Sequence, residues 1–158
     1  MEIGIISDTH NQLPEKAERL LRGVEYILHA GDVGGYHIIE KLSVIAPVQA
    51  ICGNTDLYTV ASVLSARLQF TLEGVRVLMK HDIGNLRFFA SRIQSVNKDE
   101  IPDLVVFGHT HRPVYEKVYN TYFVNPGSAS KPRGGFPCSL VRMRLQKGKI
   151  VDHRLIEI

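Results

Sequence analysis

The sequence predicts a single α/β domain over residues 1–158, in which two β-sheets pack face to face with helices on the outside. Three observations lead to this prediction. Strand and helix patterns alternate in the first third of the chain, strands joined by tight turns dominate the remainder, and no linker, repeat or low-complexity tract divides it. A chain of 158 residues, 44% of them apolar, buries a sizeable core without needing disulfides or a structural metal.

The first third of the chain has a βαβαβ pattern, which predicts largely parallel strand pairing. Proline suits the first turn of the first helix, and glycine suits its stop. The predicted elements are strands at residues 3–7, 26–30 and 48–52, a helix from about Pro14 to a stop near Gly23, and a helix over residues 36–43.

The rest of the chain is predicted to be strand-rich and mostly antiparallel. Alternating apolar residues around Glu73-Gly74 indicate a hairpin, and an apolar stripe from Leu86 to Val96 indicates an amphipathic helix. The predicted elements are strands at residues 68–72 and 75–79, the helix just described, a short strand at residues 104–107, and two hairpins that turn near residues 119–120 and 146–149.

Side chains able to bind metal follow nearly every predicted buried strand. In an open α/β sheet the loops beyond the carboxyl ends of the strands converge on one crevice, so we expect these residues to meet there. Glycine precedes three of the groups, which fits a sharp turn with little room beside the donor. The donors are Asp8 and His10 after the first strand, Asp32 after the second, Asn54 after the third, His81 after the fifth, and His109 and His111 after the last buried strand.

This donor set predicts two metal ions. It offers oxygen and nitrogen atoms from seven residues and no sulfur, which is too many ligands for one four-coordinate structural zinc. Mixed imidazole and carboxylate ligation favours Mn, Fe, Zn, Ni or Co over Mg. Two such ions about 3.5–4 Å apart polarise a phosphoryl oxygen and generate a nucleophile at neutral pH. Phosphoester hydrolysis is therefore the reaction that we expect.

The donors fall in motifs that resemble those of the calcineurin-like metallophosphoesterase superfamily. The short length and the later Asn125-Pro126-Gly127-Ser128 segment are similar to its small bacterial and archaeal phosphodiesterase branch, which also contains the retromer subunit Vps29. The resemblance covers almost the whole chain and implies a four-layer αββα sandwich. The motifs, in order, are Asp8-x-His10, Gly31-Asp32, Gly53-Asn54-x-Asp56, His81 and Gly108-His109-x-His111.

The resemblance also implies a role for each donor. Asp32 would bridge two ions, and a metal-bridging hydroxide would attack phosphorus in line. Asp32, Asn54 and His109 are the residues expected to act on the reacting phosphoryl group. Mn is the expected metal, with Ni, Fe, Zn and Co as alternatives. The first ion would be held by Asp8, His10 and His111, and the second by Asn54, His81 and His109.

Two positions depart from the motifs of relatives. Thr55 stands where larger superfamily members carry a histidine often treated as the acid for the leaving group, so we expect good leaving groups to be favoured. Asp82 follows His81 where the small branch usually has glycine, and it either orients a ligand imidazole or caps the loop. Substrate contacts are predicted for Asn54, Thr55, Ser128 and Arg133, and residues 125–128 form either a plain turn or a backbone nest for a phosphate oxygen.

Other polar residues are predicted to be structural. His29 lies in a buried strand, where we expect it to pack and form hydrogen bonds, and His37 and His153 are expected at the surface. Asp56 is expected to close its loop by accepting hydrogen bonds from backbone N–H groups.

Composition narrows the classes of partner. The net charge of +3 falls short of a concentrated basic patch, and no aromatic and basic stripe is long enough to track a strand, so a nucleic-acid partner is not expected. No uncharged apolar segment approaches the ~18 residues of a membrane span, and no secretory signal is recognised. Cys52 and Cys138 lie in apolar stretches and are predicted to be reduced, buried thiols of a cytoplasmic protein.

Two further alternatives concern partners. A Vps29-like interaction scaffold would share the fold without catalysis. All seven donor positions carry residues able to bind metal, however, and this favours an enzyme. We expect that enzyme to act on a small phosphate ester, and more readily on diesters than on monoesters. One predicted hairpin presents four aromatic residues, Tyr115, Tyr119, Tyr122 and Phe123. It either mediates self-association, as a homodimer or larger homo-oligomer, or covers the hydrophobic core.

Overall fold

The computed structural model describes residues 1–158 and contains two five-stranded β-sheets and four α-helices. In chain order the strands are β1 (Glu2–Ile6), β2 (Tyr26–His29), β3 (Val48–Ala50), β4 (Arg67–Leu72), β5 (Val75–Lys80), β6 (Leu104–Val106), β7 (Pro113–Val118), β8 (Thr121–Pro126), β9 (Ser139–Gln146) and β10 (Lys149–Glu157). The helices are α1 (Glu15–Leu21), α2 (Tyr36–Ser43), α3 (Tyr58–Ala61) and α4 (Leu86–Ile93), and a 3₁₀ turn covers Lys98–Glu100.

The first sheet has the strand order β10-β9-β1-β2-β3. Strands β1, β2 and β3 are parallel, as the βαβαβ pattern predicts, because α1 and α2 carry the chain back between them. Strand β9 returns from the end of the chain to pair antiparallel with β1, and β10 pairs antiparallel with β9. The register shifts between Ile150 and Asp152, which marks a bulge in the edge strand.

The second sheet has the order β4-β5-β6-β8-β7 and is mixed. The β4–β5 and β7–β8 hairpins are antiparallel as predicted, and Glu73 and Gly74 both have the positive φ values (50° and 80°) of a tight hairpin turn. Strand β6 is parallel to both of its neighbours, β5 and β8. Helix α4 carries the chain back between β5 and β6, and strand β7 separates β6 from β8 in sequence.

Three apolar clusters form the core and define four layers. One lies between the two sheets and includes Ile5 and Val77. A second joins the first sheet to α1, α2 and α3, and includes Leu21 and Leu42. The third joins the second sheet to α4 and includes Phe123, which is fully buried. The αββα sandwich is therefore confirmed.

The fold differs from the prediction in details outside the sheets. Helix α3 is absent from the prediction, because only its Val60 side chain is buried and Tyr58 is 84% exposed, so no apolar stripe marks it. Helix α4 ends at Ile93, and Val96 lies beyond it, 45% exposed. Strand β3 ends at Ala50, and the backbone N–H of Cys52 instead donates to the Ser65 carbonyl.

Both cysteines are unpaired, and they are half-buried where buried thiols were predicted; burial raises the pKa of each thiol. No helix in the fold combines the length and the apolar character that a membrane crossing needs.

Candidate metal centre

The predicted donors converge beyond the carboxyl ends of β1, β2, β3, β5 and β6. Asp8, Asp32, His81 and His111 are buried and form the floor of the site, whereas Asn54 is exposed and His109 is partly exposed at its rim. A cavity of about 260 Å³ opens beside the rim, and Asn54, His81 and Asp82 are among its lining residues. The floor is thus shielded from water and the rim is open to a ligand.

One donor set consists of Asp8, His10 and His111. Nε2 of His10 lies 3.2 Å from Nε2 of His111, and Nε2 of His111 lies 3.2 Å from Oδ1 of Asp8. The third distance, from Nε2 of His10 to Oδ1 of Asp8, is 3.9 Å. Atoms bound about 2.1 Å from a common ion lie roughly 3 Å apart when adjacent and 4.2 Å apart when opposite. These three atoms therefore fit ligands of one ion.

A second donor set consists of Asp8, Asp32 and His81. Nε2 of His81 lies 3.4 Å from Oδ2 of Asp32 and 4.0 Å from Oδ1 of Asp8. Oδ2 of Asp32 is also 3.9 Å from Nε2 of His10, in the first set. Both carboxylates thus face both sets, and within each set one donor atom per residue lies within 4.8 Å of the others.

Asn54 and His109 face each other at the rim. Oδ1 of Asn54 lies 2.8 Å from Nδ1 of His109, and the His109 ring meets the His81 ring edge to face with centroids 5.5 Å apart. His109 is thereby linked both to Asn54 and to the second donor set. All seven predicted ligands have been brought into one continuous cluster.

Two buried atoms in this cluster have no hydrogen-bond partner in the protein. They are Oδ1 of Asp8 and Nε2 of His81, and both point at the centre of the donor sets. An unpaired buried polar atom costs about 1–3 kcal/mol, so such atoms are rare unless a ligand completes them. The donor chemistry and these two orphaned atoms together fit bound cations.

Comparison with known proteins agrees with the geometry. Residues 1–148 match the calcineurin-like phosphoesterase superfamily domain. The chain belongs to this superfamily.

Two curated relatives are similar over most of their length. The probable metallophosphoesterase of Methanothermobacter thermautotrophicus is 34% identical over 161 residues, covering 99% of this chain and 92% of the relative. Phosphodiesterase YfcE of Escherichia coli K12 is 32% identical over 163 residues, covering 88% of this chain and 85% of YfcE. The chain is thus a relative of metallophosphoesterases and phosphodiesterases.

Solved structures share the fold along the whole chain. An archaeal phosphodiesterase has a TM-score of 0.81 and 24% identity, with 100% of both chains covered. Vps29 from Entamoeba histolytica, solved in complex with Zn²⁺, has a TM-score of 0.78 and 19% identity, with 99% of both chains covered. At these identities the likeness shows the fold.

The backbone of this phosphoesterase superfamily member is strained where the donors sit. Non-glycine residues rarely adopt positive φ, and the strain costs about 1–3 kcal/mol at each position. Backbone hydrogen bonds hold the conformation: the Asp8 N–H donates to the Gly31 carbonyl (3.0 Å), and the His10 N–H donates to the Asp32 carbonyl (2.9 Å). Five of the donors have positive φ: Asp8 (53°), His10 (44°), Asp32 (52°), His109 (68°) and His111 (57°).

The glycines of the motifs leave room for the donors, as predicted. A Cβ at Gly31 would lie 2.7 Å from Nδ1 of His81, and one at Gly108 would lie 2.7 Å from Oδ2 of Asp8. A Cβ at Gly53 would overlap the Asp32 carboxylate. Any larger residue at these positions would displace a donor side chain.

Imidazole orientation is set by backbone carbonyls from other loops. Nδ1 of His81 lies 2.7 Å from the Ala30 carbonyl oxygen, and Nδ1 of His111 lies 2.8 Å from that of Lys131. A carbonyl can only accept, so each Nδ1 carries the proton and donates, which leaves Nε2 of the neutral ring free to bind a cation.

Several residues around the donors hold the loops. The Asp56 carboxylate accepts hydrogen bonds from the N–H groups of Val33, Gly34 and Gly53, which fits its predicted loop-closing role. The Ser130 hydroxyl donates to the Thr9 carbonyl at 2.7 Å. The sequence indicates no role for Ser130, because its contact joins segments 121 residues apart.

The protonation of the floor is uneven. Burial raises the pKa of Asp8. Burial also acts to raise the pKa of Asp32, but the nearby His81 imidazole and the Thr55 N–H, which donates to Oδ1, outweigh it and hold that pKa well below the usual range. Burial acts to lower the pKa of His81, but Asp32 and the Ala30 carbonyl raise it overall.

The predicted substrate contacts occupy different places. The hydroxyl of Thr55 lies 3.4 Å from Nδ1 of His10, and Thr55 is exposed at the rim beside Asn54. The Ser128 hydroxyl is buried and donates to the Asp8 carbonyl at 2.8 Å, so its hydrogen atom is used inside the protein. Arg133 is exposed in a loop, where it forms a β-bridge with Phe136.

The segment at residues 125–128 and Asp82 also have defined contacts. The Asn125 side-chain amide donates to the Gly108 carbonyl (2.7 Å), which ties this segment to the histidine loop. Oδ1 of Asp82 accepts from the Gly84 N–H (2.8 Å) and caps the loop, and Oδ2 lies 3.8 Å from Nε2 of His109. The hydrogen bond of Asp82 is thus the loop cap, and its carboxylate lies near His109 without bonding to it.

Proposed function

We propose that this protein is a dinuclear metal-dependent phosphodiesterase. The observation that carries the proposal is the pair of donor sets around Asp8 and Asp32, with Oδ1 of Asp8 and Nε2 of His81 unpaired and buried at their centre. Membership of the superfamily and the 32% identity to phosphodiesterase YfcE support it.

The proposed division of the ligands keeps the first donor set and joins His81 of the second set to the rim pair, Asn54 and His109. Asp8, His10 and His111 would hold one ion, and His81, Asn54 and His109 the other. Asp32 would lie between them, since its Oδ2 is 3.9 Å from Nε2 of His10 and 3.4 Å from Nε2 of His81. Mixed nitrogen and oxygen ligation favours a transition ion, for which we propose Mn.

When bound, two such ions supply Lewis-acid polarisation of a phosphoryl oxygen and a hydroxide nucleophile at neutral pH. The protein orients the substrate from the rim, where Asn54 and Thr55 are exposed and the Thr55 hydroxyl can donate to a phosphate oxygen. The buried floor excludes bulk water, which strengthens the interaction of the donors with charge.

The rim carries no strong acid for the leaving group. Thr55 is a poor proton donor at neutral pH, and the Nδ1 atom of His109 is directed at Asn54. Esters with acidic alcohols as leaving groups should therefore react fastest. Activated aryl diesters are therefore the most sensitive probes of the proposed activity.

The test is hydrolysis of bis(p-nitrophenyl) phosphate by protein loaded with Mn²⁺, compared with p-nitrophenyl phosphate. We expect diester hydrolysis with the higher kcat/KM, and a loss of at least about a hundredfold in Asp32→Ala and in His109→Ala. Asp152→Ala, a change in the edge strand β10, is the matched control and should keep full activity. Full activity in Asp32→Ala would rule out the mechanism.

The second candidate function is a non-enzymatic scaffold, favoured by the shared fold of Vps29. Metal analysis does not distinguish an enzyme from a scaffold, because that Vps29 was solved with Zn²⁺. Measurement of catalytic turnover does distinguish them. A protein that binds two ions per chain and hydrolyses none of the aryl esters would support the scaffold. The free thiols support a cytoplasmic location, and the similarity to phosphodiesterase YfcE supports action on a phosphate ester, for which we propose a small molecule.

A further inference from the structure

A second cavity, of about 300 Å³, lies between α4 and the ends of β4 and β5. We call it the basic groove and define it by Arg67, Lys80 and Arg92 with the aromatic rings of Phe88 and Phe89. None of its lining residues is acidic, and none of the three cations lies within 4.0 Å of a carboxylate. The groove therefore has positive charge without an internal counterion.

Two of these cations are direct neighbours across the sheet. Arg67 and Lys80 are paired residues of β4 and β5, so their side chains project from the same face. Like charges directly opposite each other destabilise a strand pair. Arg67 donates to the Gln69 side chain and Lys80 to the Asp82 carbonyl, neither of which is charged. An anion in the groove would remove this repulsion.

The groove adjoins the cavity beside the candidate metal centre. Lys80 lines both the basic groove and the cavity that contains Asn54 and His81. Lys80 also directly precedes the ligand His81 in the chain. A substrate held at the metal centre by one phosphate can therefore extend its remaining part past Lys80 into the groove.

The groove also offers a flat apolar surface. The Phe88 side chain is 66% exposed on α4, and Arg92 lies one turn further along the same helix. Nζ of Lys80 lies 5.6 Å from the centroid of the Phe89 ring. Exposed aromatic rings beside cations are the means by which proteins bind nucleobases and phosphates together, through stacking and charge.

From these features we infer that the basic groove is a substrate subsite for a nucleotide, so that the natural substrate is a phosphodiester with a second phosphate on one arm. This inference rests on the proposed phosphodiesterase function. The further phosphate binds Arg67, Lys80 and Arg92, and the base stacks on Phe88. A cavity of this volume is at the small end of ligand pockets, which fits one nucleotide rather than a strand.

The reaction is hydrolysis of the diester. The oxygen of water bonds to phosphorus, the ester bond to one nucleoside breaks, and the departing alkoxide takes the proton of the water. The products are a phosphate monoester and a free hydroxyl, with no change of oxidation state.

The test compares pApA, which has a 5′-phosphate, with ApA, which lacks it, on protein loaded with Mn²⁺. For the wild type we expect kcat/KM at least about tenfold higher for pApA. Arg92→Glu should lower kcat/KM for pApA by at least about tenfold and leave that for bis(p-nitrophenyl) phosphate within about twofold. The matched control is Arg87→Ala, on the same helix outside the groove, which should leave both substrates unchanged.

A binding measurement gives an independent readout. Adenosine 3′,5′-bisphosphate, titrated calorimetrically into metal-free protein, should bind the wild type and Arg87→Ala alike and Arg92→Glu at least about tenfold more weakly. Phe88→Ala should also weaken binding, without a change in the thermal unfolding midpoint. Equal kcat/KM for pApA and ApA, or equal binding by wild type and Arg92→Glu, would overturn the inference. Failure of the proposed function is separate, because it would appear as absent hydrolysis of the aryl diester.

Discussion

The hydroxyl of Thr9, which lies between the candidate ligands Asp8 and His10, is 2.9 Å from Nε2 of the fully buried His29. The Thr9 hydroxyl donates to the Val33 carbonyl, and the Gly31 N–H donates to Nδ1 of His29. Nε2 of His29 must therefore carry the proton and donate to Thr9. One neutral imidazole thus connects the first and second ligand loops, as expected for a structural histidine.

His29 makes stability depend on pH. Burial lowers its pKa to about 3, from an ordinary value of 6.5. The unfolded chain binds the proton below pH 6.5 and the folded protein does not, so the stabilisation is complete above pH 6.5 and declines as the pH falls. In urea unfolding of metal-free protein, the stability advantage of wild type over His29→Asn should shrink by about 1.4 kcal/mol per pH unit below 6.5. If the free energies of unfolding of wild type and His29→Asn changed equally with pH, the prediction would be wrong.

Ser128→Ala should weaken metal binding rather than substrate binding. The Ser128 hydroxyl donates to the Asp8 carbonyl and accepts from the Lys131 N–H (2.9 Å), so it joins the Asp8 loop to the segment whose Lys131 carbonyl orients His111. Loss of such a support lowers metal affinity by about 10–100-fold. We expect the Mn²⁺ concentration for half-maximal activity to rise, with KM unchanged at saturating metal. A raised KM at saturating metal would instead show a direct substrate contact.

Gly108→Ala should empty the metal centre while leaving the fold intact. The new Cβ would overlap the Ser7 hydroxyl and crowd Oδ2 of Asp8. Elemental analysis should show less than half of the wild-type metal content in this variant. Gly84→Ala is the control: it has a strained φ of 63° but no atom within 4 Å of the added Cβ. Equal metal content in Gly108→Ala and wild type would show that the loop containing Gly108 accommodates the added Cβ without displacing Asp8.

Asp103→Asn should reduce stability at neutral pH. The carboxylate accepts hydrogen bonds from the Arg76 backbone N–H (2.9 Å) and guanidinium (2.7 and 2.9 Å), which lower its pKa and tie the start of β6 to β5. We expect a loss of about 1–2 kcal/mol in the free energy of unfolding. A depressed carboxyl pKa stabilises above the unfolded value of 3.8, so the difference from wild type should vanish as the pH falls through the folded pKa.

The matched control for Asp103 is Asp152→Asn. Asp152 pairs with the exposed Arg154 on its own strand at 3.3 Å, and such pairs contribute less than about 0.5 kcal/mol. An equal loss in the free energy of unfolding in Asp103→Asn and Asp152→Asn would show that the contacts with Arg76 do not stabilise the fold.

Much of the fold follows from local patterns. The βαβαβ alternation and the two-residue turn at Glu73-Gly74 appear in the structure where they were predicted, because periodicity and turn chemistry are local properties. Helix α3 was missed because it buries only one side chain and so leaves no periodic signal. The parallel neighbours of β6 were missed because pairing depends on which distant strands meet.

The sequence by itself predicted the αββα class through its resemblance, and it predicted the seven donors because they follow strand ends and because glycine precedes three of the donor groups. Only the tertiary structure decided which atoms face one another: that Asp8 and Asp32 each reach both donor sets, that Ser128 points inward at Asp8, and that Lys80 joins a basic groove to the metal centre. The physical reason is that these relations are distances between segments far apart in the chain, set by how two sheets pack, and no local pattern of residues encodes them.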